Sequence, residues 1–75
     1  MKKYDEFIEA NSQKLGGTPV FRGTRVPIKN LFDYLEGGDN IVTFLDDFPT
    51  VSREQVIGLL GLLRVVILSE YENAP

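Results

Sequence analysis

The side chains with the greatest chemical reach in this sequence are its arginines. Arg22 and Arg25, with Lys29 close behind, crowd positive charge into one short stretch. Such a cluster suits phosphate oxygens or the carboxylates of a protein partner. It equally suits an internal role, because an arginine in a Gly-Thr-Arg turn can pair with a carboxylate of its own fold and lock the turn. A second constellation is Ser52-Arg53-Glu54-Gln55. At the start of a recognition helix, Arg53 could address guanine and Gln55 adenine through paired hydrogen bonds. Ser52 with Gln55 three residues on is also a capping box, which accounts for both residues without any ligand.

Asp33, Asp39, Asp46 and Asp47 offer carboxylates for a divalent cation. Neighbouring residues on a helix point apart, so Asp46 and Asp47 cannot easily share one ion, and a solvated acidic turn is the simpler reading. The chain has no His and no Cys. That removes imidazole acid–base chemistry, thiolate nucleophiles and the usual zinc ligands. The Ser, Thr and Tyr hydroxyls are left without a base to activate them. No catalytic residue, metal or cofactor is expected, and the chain is not expected to be an enzyme.

Size and charge set further bounds. At 75 residues and 8.4 kDa the chain makes one small domain, and its 43% hydrophobic content is enough for folding. A domain of this length buries only about 60% of its unfolded surface. With disulfides and metals removed, association is the common remaining means of stabilisation, so a homodimer is expected. The net charge of −3 and a sequence pI near 4.7 argue against a broad basic face. Nonspecific DNA affinity depends mainly on neutralising phosphates, so a lone chain should bind DNA weakly, whereas a dimer would present Arg22, Arg25 and Arg53 twice. Tyr4-Asp5-Glu6 follows the basic start where a secretory signal would become apolar. The longest apolar run, Val56–Leu68, is interrupted by Arg64 and falls short of the about 20 residues that cross a bilayer. A cytoplasmic location and no membrane partner are the expectations.

Turn and helix signals divide the chain. Residues 1–15 mix charges with Tyr4, Phe7, Ile8 and Leu15 and fit either a short helix or an extended arm. Gly16-Gly17-Thr18-Pro19 marks a turn. Val20-Phe21 and Val26 are strand formers around Gly23-Thr24, which predicts a small β-hairpin with a type II′ turn. Ile28, Leu31, Phe32 and Leu35 repeat at helical spacing, with Pro27 in the first helical position and Gly37-Gly38 to end the helix. Asp39 is the expected cap of a second helix carrying Ile41, Phe44, Leu45 and Phe48, which Pro49 stops. Ser52 opens a third helix running to about Ser69, and residues 70–75 form a polar tail. The predicted fold is mostly α, with a small β-hairpin before a trihelical, helix-turn-helix-like domain, the two together filling residues 16–69.

The run Gly16-Gly17-Thr18-Pro19-Val20-Phe21-Arg22-Gly23-Thr24-Arg25-Val26-Pro27 closely resembles the signature of a bacterial and archaeal family of unknown function, DUF433. Leu35-Glu36-Gly37-Gly38-Asp39 and Phe44-Leu45-Asp46-Asp47-Phe48-Pro49-Thr50-Val51-Ser52-Arg53-Glu54-Gln55 resemble it too, in the same order, so the likeness covers roughly residues 14–60. Asn11-Ser12-Gln13-Lys14 stands where members usually carry an Asp-Pro. The resemblance implies a helix-turn-helix-like fold with an N-terminal hairpin. It also implies the role described for members, that of antitoxin in a type II toxin–antitoxin pair, beside a PIN-like ribonuclease toxin. Antitoxins of that general kind dimerise and often bind their own operator DNA.

The third helix departs from the family pattern through Gly58-Leu59-Leu60-Gly61-Leu62-Leu63. Val56, Leu59, Leu60, Leu63 and Ile67 make a core-facing stripe, which leaves Ile57, Val65 and Leu68 on other faces. A helix that is apolar all round is buried all round, and a three-helix core this small cannot enclose one. Gly58 and Gly61 each weaken a helix by about 1 kcal/mol relative to Ala, and they make sense where another backbone comes close. Ile57, Gly58, Gly61, Val65 and Leu68 are therefore the candidate protein interface. Arg22, Arg25, Arg53 and Gln55 are the candidates for contact with DNA or an acidic partner. The favoured reading is a non-enzymatic, dimeric antitoxin that binds a PIN-like ribonuclease, with operator DNA as a further partner. The alternatives are a self-associating interaction module without a toxin and a small transcription regulator.

Overall fold

A computed structural model of the chain describes residues 3–13 and 15–72. A two-stranded antiparallel hairpin, β1 (Ile8–Glu9) and β2 (Val20–Phe21), leads into three helices, α1 (Ile28–Glu36), α2 (Ile41–Asp47) and α3 (Arg53–Glu72). One 3-10 turn, Lys3–Glu6, precedes β1, and another, Leu15–Gly17, lies between the strands. The N-terminal segment is thus a single helical turn followed by an extended strand. Residues 70–72 of the expected polar tail continue α3, and residues 73–75 lie outside the described residues.

The hairpin exists, but Val26 is not its second strand. Ile8 stands opposite Phe21 and Glu9 opposite Val20. Val26 still accepts from the Phe21 N–H at 3.0 Å, and Ile28 donates to the Pro19 carbonyl at 3.0 Å, which leaves a single bridge between Val20 and Pro27. Proline has no N–H with which to extend that ladder. The reversal is closed by the Thr24 N–H on the Phe21 carbonyl at 2.9 Å, so Gly23, at φ +78°, is the third residue of the turn. Positive φ at that position makes it type II rather than type II′.

Helix ends follow local chemistry with two one-residue shifts. The Gly38 N–H donates to the Leu35 carbonyl at 3.1 Å and the Asp39 N–H to Tyr34 at 2.9 Å, the paired bonds that close a helix on a left-handed glycine. Asp39 is consumed by that closure, so the cap of α2 moves to Asn40, whose Oδ1 accepts from the Thr43 N–H at 2.9 Å. Pro27 precedes α1 rather than opening it, because the bridge to Val20 holds it extended at ψ 140°. α3 opens on the full capping box. Ser52 Oγ accepts from the Gln55 N–H at 3.1 Å, and Gln55 Oε1 accepts from the Ser52 N–H at 3.0 Å.

Phe21, Ile28, Leu31, Phe44, Val51, Val56 and Leu59 form one buried cluster. The Phe44 ring lies 5.9, 5.4 and 5.0 Å from those of Phe21, Tyr34 and Phe48, in tilted and edge-on arrangements that aromatic quadrupoles favour. Thr24 is the buried polar residue. Its hydroxyl donates to the Phe21 carbonyl at 2.7 Å and accepts from the Val26 N–H at 3.0 Å, so nothing is left unpaired. α3 is fully buried only at Val56 and Leu59. At 20 residues it is about 30 Å long and outruns the body it packs on. The core stripe therefore ends early: Leu63 is half-buried and Ile67 is exposed. The radius of gyration, 13.5 Å, records the overhang, since a compact chain of this length would have about 11 Å.

Gly58 has an intramolecular reason. The Phe7 ring lies over it, and a Cβ there would fall inside the ring's van der Waals envelope. Replacing Gly by Ala in a helix ordinarily gains about 1 kcal/mol. Gly58→Ala should forfeit that gain by displacing Phe7, and in a Phe7→Ala background the gain should reappear. Urea unfolding of the four proteins in this cycle measures the coupling.

Candidate functional site

The basic candidates gather where the Phe21–Thr24 turn meets the start of α3, and they divide into two kinds. Gln55 Nε2 donates to the Arg22 carbonyl at 2.9 Å while its Oε1 serves the capping box, so both ends of the amide are engaged inside the chain. Arg22 performs the internal role, though on carbonyls rather than a carboxylate. Its Nε donates to Asp5 O at 2.6 Å and its Nη2 to Ile8 O at 2.9 Å, while its own N–H bonds Phe7 O at 2.9 Å. The Gly23 N–H adds a bond to Glu9 Oε1 at 3.1 Å. Arg25 and Arg53 are exposed and, among the described residues, make no side-chain hydrogen bond or ion pair. Of the basic candidates, they are the two left available for an external anion. Lys29 pairs with Asp33 one helical turn on, at 2.6 Å, and that carboxylate raises the pKa of its ammonium.

The apolar candidates lie along α3. Ile57, Val65 and Leu68 are 45, 49 and 40% exposed, and Gly61 faces open space. Gly58 stands apart from them, half-buried beneath Phe7. Two further residues of α3 are exposed and apolar, Ile67 at 55% and Tyr71 at 79%. Periodicity placed Ile67 in the core because a repeat says which face is apolar and not where the opposing body ends.

Asp47 Oδ2 accepts from the Tyr34 hydroxyl at 2.5 Å. Among the described residues no three acidic side chains converge as metal ligands would. No helix in the same residues is long and apolar enough to cross a membrane.

The model of a family described as "Protein of unknown function (DUF433)" matches residues 8–60. A protein of Sinorhizobium fredii named "Uncharacterized protein y4eO" is 33% identical over 51 residues, which is 68% of this chain and 23% of that protein, so the chain spans under a quarter of its relative's length. No solved structure matches the chain.

Two measurements test the local chemistry. Gln55→Ala removes the side-chain half of the capping box and the tie to Arg22 and should cost about 1–2 kcal/mol in chemical denaturation. Gln55→Glu keeps an acceptor for Ser52 but cannot donate to the Arg22 carbonyl, so its smaller loss isolates that one bond. The bond to Asp47 raises the Tyr34 phenol above its ordinary 10.0, with burial and nearby carboxylate charge adding to it. The fold thus favours the neutral phenol, and this contribution is complete below the unfolded value and lost as pH rises through the folded one. Tyrosinate absorbance of the three tyrosines should show Tyr34 titrating above its ordinary value, and Asp47→Ala should bring it back.

Proposed function

The chain belongs to the DUF433 family, and from that premise we propose that it is a non-enzymatic, dimeric antitoxin that binds and masks a PIN-like ribonuclease. The observation that supports this reading is the apolar surface that α3 exposes on more than one side. Ile57, Val65, Ile67, Leu68 and Tyr71 stand in water along one helix of a very small domain. Apolar surface gathered in this way is characteristic of a docking face. Masking would proceed by occlusion, with the overhanging turns of α3 covering part of the nuclease. Arg25 and Arg53 would add contacts to acidic groups beside it. The same two arginines, doubled in a dimer, would touch operator phosphates, giving a salt-sensitive but weak hold on DNA because the chain carries a net −3 charge. The cytoplasm is the compartment in which such a pair would operate.

The same face also favours a second reading, a self-associating module that has no toxin. A pull-down from native lysate, followed by mass spectrometry and light scattering, separates the two. A stoichiometric small nuclease, lost with Val65→Glu, is the expected result. Recovery of the bait alone, as a homodimer, overturns the antitoxin reading.

A further inference from the structure

The side of α3 that points away from the body carries Glu54, Ile57, Gly61, Arg64, Leu68 and Tyr71, spaced alternately three and four residues apart. Glu54, Ile57, Gly61 and Arg64 are all exposed, and the side chain of Arg64 has no partner among the described residues. Three-and-four spacing is the seam of paired helices. A seam with an acid at one end, a base ten residues later, and a bulky residue and a glycine between them is self-complementary when one copy is reversed.

We propose that α3 pairs with α3 of a second copy of this chain in an antiparallel arrangement centred at Leu59, with Ile57 of each copy seated at Gly61 of the other and Glu54 of each paired with Arg64 of the other. The inference rests on the reading of α3 as an association face and specifies which part of it meets a second copy. Three observations select this register. Gly61 faces open space, so its bare backbone leaves a hollow for the branched Ile57 side chain. Charge complementarity is satisfied twice, once at each end of the two-fold seam. Sliding one helix by a heptad, which would bring Ile57 onto the other copy's Leu68, places the two Arg64 side chains within about one turn of each other and is opposed by their repulsion. In the chosen register Leu60, which is half-buried in the single chain, lies near the two-fold axis. The turns from Val65 onward run past the start of the second α3. They remain the part of the face assigned to the nuclease.

Sedimentation equilibrium of the purified chain tests the seam without any toxin. The wild type should sediment at twice its 8.4 kDa. Glu54→Arg and Arg64→Glu should each weaken association by about tenfold or more, and the double exchange Glu54→Arg/Arg64→Glu should restore it. Gly61→Leu, at a position with free space in the single chain, should abolish association while circular dichroism stays unchanged. A wild type that remains monomeric overturns the seam, as does a dimer indifferent to both single charge reversals. Absence of a nuclease in the pull-down removes the antitoxin reading and leaves the seam standing.

Discussion

Three segments that are distant in sequence converge on the Phe21–Thr24 turn, and the rest of the molecule depends on that convergence. Beneath the turn, Phe21 is fully buried against Phe44. On one side the Arg22 guanidinium gathers the carbonyls of Asp5 and Ile8, and the Gly23 N–H holds Glu9. On the other, Gln55 bonds the Arg22 carbonyl from the first turn of α3. Each exposed bond contributes about 1 kcal/mol at most. Together they orient the N-terminal segment so that Phe7 falls on Gly58, a contact that two residues of β-pairing would hold poorly. The turn therefore spends its most reactive-looking side chains on architecture. Arg22 and Gln55 look like recognition residues by type, and in position they are ties.

A second constraint is the mismatch between a small core and a long helix. The family match begins at Ile8, the first residue of β1, and ends at residue 60, one position past the last buried residue of α3. The shared region and the enclosed body thus share their boundary. What lies beyond, from Gly61 to Glu72, has no fully buried residue and is half-buried only at Leu62, Leu63 and Val66. Isolated helices of that length are marginal in water, and their stability comes from packing an apolar face. The first half of α3 carries its two buried residues, and the second half runs on beyond them.

Most of the architecture was legible in the sequence. The helix starts and stops at Pro27, Gly37-Gly38, Pro49 and Ser52 lie within one residue of where they were expected, because caps and turns are local and their chemistry is carried by the residues themselves. The cap at Asn40 was missed because Asp39 is an equally good capping residue until its N–H is taken by the end of α1. The partner of β2 was missed for a different reason. Ile8-Glu9 is too short to show a period, and its pairing is decided by Arg22 and Phe7, whose partners are far away in sequence. The same holds for the site. Arg25 and Arg53 were separable from Arg22 and Gln55 only once the backbone carbonyls had positions. The exposure of Ile57, Val65 and Leu68 followed from counting apolar faces against a core of limited size.

The lodging of Phe7 on Gly58 also constrains the order in which the molecule can assemble. α1, α2 and their connecting closure are built from contacts between near neighbours and can form as soon as that stretch of chain exists. Residues 3–9 are synthesised before α3, yet the seat of Phe7 is assembled only when Gly58 has been added to the chain and α3 has begun to coil. During synthesis β1 can pair with β2 as soon as residues 20–23 exist, but the Phe7 ring must wait uncovered until Gly58 arrives. Within this fold the segment synthesised earliest is among the last to settle fully, and a pause in translation before residue 58 would prolong the interval in which Phe7 is open to the wrong partner.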